Sequence, residues 1–350
     1  MGSNTQTLTV ALTAFALGVA FFTAVQNPTP ESKEFIAGIQ AWTTWKAKHN
    51  KQYPSASEET FRMQVFLKNF IKIQKHNAKK DAGYTMALNN FADLTPEEFQ
   101  ASFTSAPYLQ AALAAPRYAP MMLMSSDLPK SVDWRQKGAV NTPKHQGGCG
   151  SCYSFASAGA IEALYSIKKG ELPELSIQQS LDCSSAFGNN GCSGGYMTQV
   201  FDYLIAEGGL VSAKLYPYKM VAGQCQLKSS LKEAKKWKIS GYINVPKNDN
   251  DALKQAVSMQ PVTIGIDARQ LNLYGGGVFG KEGQCTQHLT HAVLIVGYGT
   301  SEQDGDYWII KNSWGPSWGE NGFFKIKRTD GQKEGPCGVP SLASYPTLHD

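Results

Sequence analysis

The chain of 350 residues has no usable Asn-x-Ser/Thr acceptor, because the one triplet of that form, Asn27-Pro28-Thr29, carries the blocking proline. Routing by a signal on an N-linked glycan is therefore not expected. No internal repeat or heptad array is present, which argues against solenoid and coiled-coil architectures. An excess of one charge is also lacking: Lys and Arg number 33 against 28 Asp and Glu, spread along the chain, so no nucleic-acid partner is expected. The one basic run, Lys72 to Lys80, reads as a solvated helix face. Cys149-x-x-Cys152 in isolation suits a redox dithiol or half a zinc site. No second Cys/His pair at ligand spacing follows it, and the other cysteines scatter over positions 183, 192, 225, 285 and 337. Metal: none and cofactor: none are the expectations. With 42% hydrophobic residues there is ample material for a large core and an accessory segment.

What is present centres on one thiol. Seven cysteines leave one outside any full pairing, and Cys152 precedes a helical period: Phe155, Ala158, Ala160, Ile161, Leu164 and Ile167, then Lys168-Lys169-Gly170 as a basic last turn and stop. A cysteine at a helix N-terminus meets the positive end of the helix dipole, which favours thiolate over thiol. Such a nucleophile needs a base, an orienting group and an oxyanion site. His291 opens the apolar run Ala292 to Gly299, and Asn312 follows the run Tyr307 to Lys311. Two adjacent strands would place an imidazole beside an amide.

Cys152, the histidine 139 positions later and the asparagine 21 further on resemble the papain family of cysteine peptidases, over roughly Glu58 to Pro346. Taken singly, each residue has an ordinary alternative: an inert core cysteine, a structural histidine, an Asn-Ser-Trp-Gly turn. The joint order and spacing favour catalysis. The resemblance implies Cys152 as nucleophile, His291 as general acid/base, Asn312 as orienter of the imidazole, and Trp314 as the shield over that bond. Gln146 would donate to the oxyanion together with the Cys152 backbone N-H. Tyr153 and Thr290 depart from the residues usual beside the nucleophile and the histidine.

Upstream, Glu58, Arg62, Phe66, Asn69, Ile73 and Asn77 recur at steps of 4, 4, 3, 4 and 4, which places them on one helical arc. This face must dock. The pattern resembles the inhibitory prosegment of the cathepsin L-like branch, and Asn89, Phe91 and Asp93 lie in a run similar to its second motif, with Ala87 where glycine is usual. After Phe103 a stretch without period reads as a linker, which the resemblance runs through the cleft. The implied organisation is a signal peptide at 1–26, a prosegment at 27–126 and a peptidase domain at 127–350. The fold class is α+β: a helical prodomain, then a papain-like pair of subdomains, helical in the N-terminal half and β-barrel-like in the C-terminal half. Cys152 and His291 stand on opposite walls. Strand signals run from Lys238 to Lys327. Self-processing is expected as acid weakens carboxylate interactions that hold the prosegment, Asp93 included.

Leu8 to Val25 form an uncharged, mostly apolar run that suits a signal-peptide core and is close to the lower limit for a membrane anchor. Met1 to Thr7 carry no Lys or Arg, so both readings stay open. The destination is the secretory pathway, to a lysosome-like acidic compartment or outside the cell. The cysteine count leaves the pairing open. The resemblance selects Cys149 with Cys192, Cys183 with Cys225 and Cys285 with Cys337. It also implies Gly194 and Gly195, in the run ending at Tyr196, as a substrate-backbone rail, with Ser193 where asparagine is commoner. The pocket for the side chain two residues before the cut bond would be lined by Tyr196, Met197, Gly265, Leu289, Ala292 and Leu342. An apolar or aromatic preference follows. No His-rich insertion blocks the cleft, which favours endopeptidase action. Expected partners are polypeptide substrates, the chain's own prosegment and cystatin-like inhibitors, for a monomeric protein.

Overall fold

The computed structural model describes residues 30–104, 109, 128–227, 231 and 233–349. The apolar run Leu8–Val25, most of the linker and the expected processing point near Asp127 lie outside these residues. Among the described residues no helix is long and apolar enough to cross a membrane.

The chain divides into two compact units, residues 1–79 with 92–94, and residues 80–91 with 95–350. The first is built on helices α1 (Pro30–Lys48) and α2 (Ala56–Asn77). Ser55 caps α2 by accepting the Glu58 N-H at 3.1 Å, which satisfies an otherwise orphaned donor of the first turn. Trp42, Trp45 and Phe66 pack between the two helices with ring centroids 5.0–5.5 Å apart. The predicted face of α2 is engaged along most of its length. Glu58 accepts from Arg62 at 2.7 Å, Phe66 and Ile73 are buried, and the Asn69 amide donates to Ala92 O and Leu94 O at 2.9 and 3.1 Å. Asn77, the last helical residue, is exposed.

Asp93 is held within the helical unit. Its carboxylate accepts from Lys51 at 2.8 and 3.0 Å and from the Tyr53 hydroxyl at 2.9 Å, while Arg62 donates to its carbonyl. All these partners belong to the helical unit itself. The carboxylate thus ties Lys51 and Tyr53, in the segment before α2, to residues 92–94.

The second unit contains a sheet of nine strands among the described residues. In chain order they are β1 (Tyr84–Met86), β2 (Val132–Asp133), β3 (Gly241–Asn244), β4 (Val262–Ile266), β5 (Tyr274–Phe279), β6 (His291–Ser301), β7 (Gly305–Lys311), β8 (Phe323–Lys327) and β9 (Ala343–Thr347). The order is β1-β5-β8-β7-β6-β4-β9-β3, with β2 paired to β6. The first strand signal, read at Lys238–Tyr242, becomes a strand only from Gly241, because Trp237 is tied instead to Leu210 in an isolated bridge. Tyr84 and Met86 pair with Gly277 and Tyr274 of β5, so the segment ahead of residue 128 contributes a strand to this sheet.

Helices α3 (Pro96–Phe103), α4 (Cys152–Lys169), α5 (Ile177–Cys183), α6 (Met197–Glu207) and α7 (Asn250–Met259) complete the unit. Helix α4 is buried from Cys152 to Leu164 apart from Phe155, as its dense small and apolar residues require of a central helix. Gly170 ends it at φ 67°, a left-handed position where a side chain would be strained. Disulfides join Cys149 to Cys192, Cys183 to Cys225 and Cys285 to Cys337. Cys152 lies outside them and is buried.

Candidate active site

Cys152 is the first residue of α4, so its thiol sits where the helix dipole favours negative charge. The preceding Ser151 supplies no side-chain cap; its hydroxyl reaches the Tyr218 hydroxyl at 2.6 Å instead. His291 and Asn312 come from neighbouring antiparallel strands. Leu294 of β6 faces Lys311 of β7, and this register brings the residue after Lys311 alongside the start of β6. The His291 Nε2 to Asn312 Oδ1 distance is 2.8 Å. An amide oxygen can only accept, so Nε2 carries the proton and Nδ1 is the nitrogen available for proton transfer. Nδ1 is buried and makes no hydrogen bond.

Trp314 stacks on the imidazole at 4.7 Å and 27° and has no solvent-accessible surface. The imidazole is itself fully enclosed. Burial pushes its pKa down to about 4, and the Asn312 bond only partly opposes this. In the closed chain the imidazole is neutral.

Gln146 lies six residues before the thiol and is fully buried. Its amide nitrogen donates to Cys149 O at 2.9 Å, and its amide oxygen accepts from the Ser313 hydroxyl at 2.6 Å. An amide has two N-H donors, so one remains for an oxyanion. The Tyr218 hydroxyl donates to Gln146 O at 2.7 Å. Ser313 and Tyr218 were not singled out from sequence. Ser313 could have been, since it lies between Asn312 and Trp314, whereas nothing in the local pattern marks Tyr218.

The predicted pocket residues converge. A Cβ added to Gly265 would lie 2.9 Å from a Leu289 methyl and 3.1 Å from a Leu342 methyl, and Gly265 faces Ala292 across the β4–β6 ladder. Met197, Leu289, Ala292, Leu342 and Cys152 belong to one buried apolar cluster, with Tyr196 packed against it. Leu109, from the stretch after the prosegment helices, is fully buried in the same cluster.

Gly195 needs its missing side chain, since a Cβ there would lie 2.2 Å from Asn189 Oδ1, which accepts the Tyr196 N-H at 2.7 Å. Asn189, absent from the sequence reading, thus shapes the Gly194–Gly195 segment. Tyr153 donates its hydroxyl to Gly191 O at 3.2 Å, and Thr290 accepts the Ala268 N-H at 3.0 Å, so both departures serve backbone positioning. Ala87 donates its N-H to Leu273 O at 2.8 Å, and its methyl fits against Gly275.

Further prosegment residues reach this unit. The Asn89 amide donates to Asn272 O at 2.8 Å, and Phe91 and Phe99 meet the Trp314 ring at 5.8 and 5.1 Å. Among the described residues no group of three or more His, Cys, Asp or Glu could hold a metal ion.

Residues 128–347 match the family described as papain family cysteine protease. The chain belongs to that family. Residues 42–99 match the cathepsin propeptide inhibitor domain, so this papain-family chain also carries its own inhibitory prosegment. It is 39% identical over 322 residues to "Cathepsin L" of Sarcophaga peregrina, covering 88% of this chain and 93% of that one. It is 41% identical over 314 residues to "Oryzain beta chain" of Oryza sativa subsp. japonica, covering 88% of this chain and 66% of that one. Among solved structures, a recombinant stem bromelain precursor aligns at TM-score 0.81 with 36% identity, over 90% of this chain and 100% of that one. The digestive procathepsin L 3 of the Tenebrio molitor larval midgut aligns at 0.78 with 39% identity, over 89% and 99%. The papain-family chain is thus a cysteine-type peptidase in zymogen form, with the α+β fold of procathepsins.

Proposed function

We propose that the chain is the zymogen of an endopeptidase whose catalytic residues are Cys152, His291, Asn312 and Gln146. The observation that carries this reading is the His291–Asn312 bond beneath Trp314, which leaves Nδ1 as the one imidazole nitrogen able to exchange a proton. Once the prosegment leaves, the thiol proton passes to Nδ1 and the Cys152 thiolate attacks the substrate carbonyl carbon. The resulting oxyanion accepts from the Gln146 amide and the Cys152 N-H. His291 then gives its Nδ1 proton to the leaving amine, and the C–N bond breaks to leave a thioester. Water attacks the thioester as His291 takes its proton, and the Cys152 thiolate departs, to be reprotonated or paired with the imidazolium.

The remaining roles follow the same reading. Gly194 and Gly195 run beside the substrate backbone. Tyr196, Met197, Gly265, Leu289, Ala292 and Leu342 receive a Leu, Val or Phe side chain two residues before the cut bond. Leu342 at the floor offers no carboxylate to an arginine. The division at 27–126 and 127–350, passage through the secretory pathway to an acidic compartment or the exterior, action as a monomer, and inhibition by cystatin-like proteins belong to it too.

The test is hydrolysis of a fluorogenic Phe-Arg peptide by acid-treated protein, with Cys152→Ala and a thiol-reactive epoxide as controls. Turnover lost in both controls supports the reading. No turnover from a processed chain whose Cys152 still alkylates would replace it with a silent binding homologue. A peptide library favouring Arg over Phe in the pocket would overturn the specificity alone.

A further inference from the structure

Met220 has two features that the catalytic reading does not use. It is 51% exposed although apolar, and its φ of 61° is a left-handed conformation that residues with a side chain rarely hold. Such a conformation persists only where its surroundings over-determine it. Here one buried amide does so. Gln178 Oε1 accepts the Lys219 N-H at 2.7 Å and Gln178 Nε2 donates to Val221 O at 2.7 Å, a bond on either side of Met220. The Gly223 N-H adds a bond to Asp182 Oδ1 at 2.7 Å, so the segment is fixed on α5.

The same segment meets the turns around Cys152. The Tyr218 hydroxyl, two residues before Met220, donates to Gln146 O. A Cβ added to Gly147 would lie 2.9 Å from Met220 Sγ and 3.1 Å from its Cγ, and one added to Gly191 would lie 2.9 Å from the Ala222 methyl. The Cys149–Cys192 disulfide and the bond from the Gly150 N-H to Cys192 O, 2.9 Å, join these two turns. Met220 and Ala222 therefore border a floor of glycines and a disulfide that runs from Gln146 towards Gly194 and Gly195.

We propose that Met220 is a specificity-determining residue: its thioether arm is the apolar wall for the substrate side chain at the cut carbonyl, and it favours long unbranched aliphatic groups such as norleucine or methionine. This deepens the peptidase reading and rests on it. In an extended peptide, successive side chains point to opposite faces. With the second side chain before the cut bond turned into the pocket of Met197, Leu289 and Leu342, the first turns the other way. Its own carbonyl oxygen is the one that Gln146 receives, so the side chain leaves over Gly147, where Met220 stands. A flexible thioether adapts to an unbranched chain, and covering its exposed half removes apolar surface from water. A glycine at that position covers nothing.

The test uses the full-length chain after acid treatment, with Met220→Gly and Met220→Asn as partners. Glycine and asparagine take the left-handed conformation most readily, so the Gln178 bonds on either side are kept. Two peptidyl fluoromethyl ketones, Phe-norleucine and Phe-glycine, are compared by the second-order rate at which each alkylates Cys152, read by mass spectrometry. The matching fluorogenic amides are compared by kcat/KM. Intrinsic reactivity of the reagents cancels when the norleucine-to-glycine ratio is compared between chains. That ratio is expected to fall about fivefold in both variants, on the order of one methylene group's burial. An unchanged ratio in both variants overturns the proposal, whether the rates hold or fall together; a joint fall would make Met220 a prop for the Gln146 turn instead. Alkylation needs no peptide cleavage. A Met220-dependent alkylation ratio in a chain that hydrolyses neither amide would remove the peptidase reading and leave the wall standing.

Discussion

Filling the pocket is a sharper test of specificity than emptying it, and Gly265 is the place to do so. In Gly265→Val the Cβ starts 2.9 Å from a Leu289 methyl and 3.1 Å from a Leu342 methyl. Those side-chain ends must give way by a few tenths of an ångström, and the two valine methyls then occupy the space meant for the substrate. The backbone is undisturbed: a β-branched residue suits strand β4, and the Gly265 N-H still reaches Leu342 O at 2.9 Å. A buried Phe or Leu side chain contributes about 1.5–3 kcal/mol, so excluding it lowers kcat/KM roughly 10- to 150-fold. A matched peptide with Ala at that position, having little to bury, should change by less than about threefold. The assay compares kcat/KM for Phe, Leu and Ala peptides in wild type and variant, with iodoacetamide alkylation of Cys152 as a check on the thiol. An unchanged Phe-to-Ala ratio in a variant that alkylates normally would refute the pocket assignment.

The enclosed His291, with its pKa pushed down to about 4, makes the folded zymogen a weaker proton binder than the unfolded chain. Its folded pKa lies below the ordinary value of about 6.5, so stability is complete above that pH and declines by about 3 kcal/mol as pH falls towards 4. Denaturant unfolding of the Cys152→Ala chain against its His291→Gln derivative measures this, and identical pH slopes would contradict it. Asn312→Ala removes the 2.8 Å bond and lets the imidazole tilt, which should lower kcat roughly 10²-fold with little change in KM. A loss confined to KM would assign Asn312 to binding instead. Phe91→Ala deletes a ring buried against Phe99, Phe103 and Trp314, a loss of about 3–5 kcal/mol. The zymogen should then convert faster at neutral pH while kcat of the processed enzyme is unchanged, and an unaltered conversion half-life would count against the docking role of that cluster.

Local chemistry made much of this molecule legible. A glycine-stopped helix starting at Cys152, apolar strands after His291 and before Asn312, and the stepwise face of α2 are all patterns of period and punctuation that a linear chain carries intact. Which cation Asp93 meets could not be read from charge alone, and the fold gives it Lys51. Tyr218, Asn189 and Leu109 left no sequence signal that picked them out, since each acts through contacts with residues far along the chain.

The sequence by itself determined which groups could do chemistry: one thiol at a helix start, one histidine and one asparagine at strand ends, and glycines where a backbone must come close. Only the tertiary structure decided their states. Antiparallel register set the His291 Nε2 against Asn312, enclosure beneath Trp314 removed the water that would keep the imidazole charged, and chain closure brought Phe91 and Phe99 onto the Trp314 ring. Residue type follows from composition and pattern, but burial and partnership are properties of the fold, because desolvation and hydrogen bonding depend on neighbours that the chain supplies only once it has closed on itself.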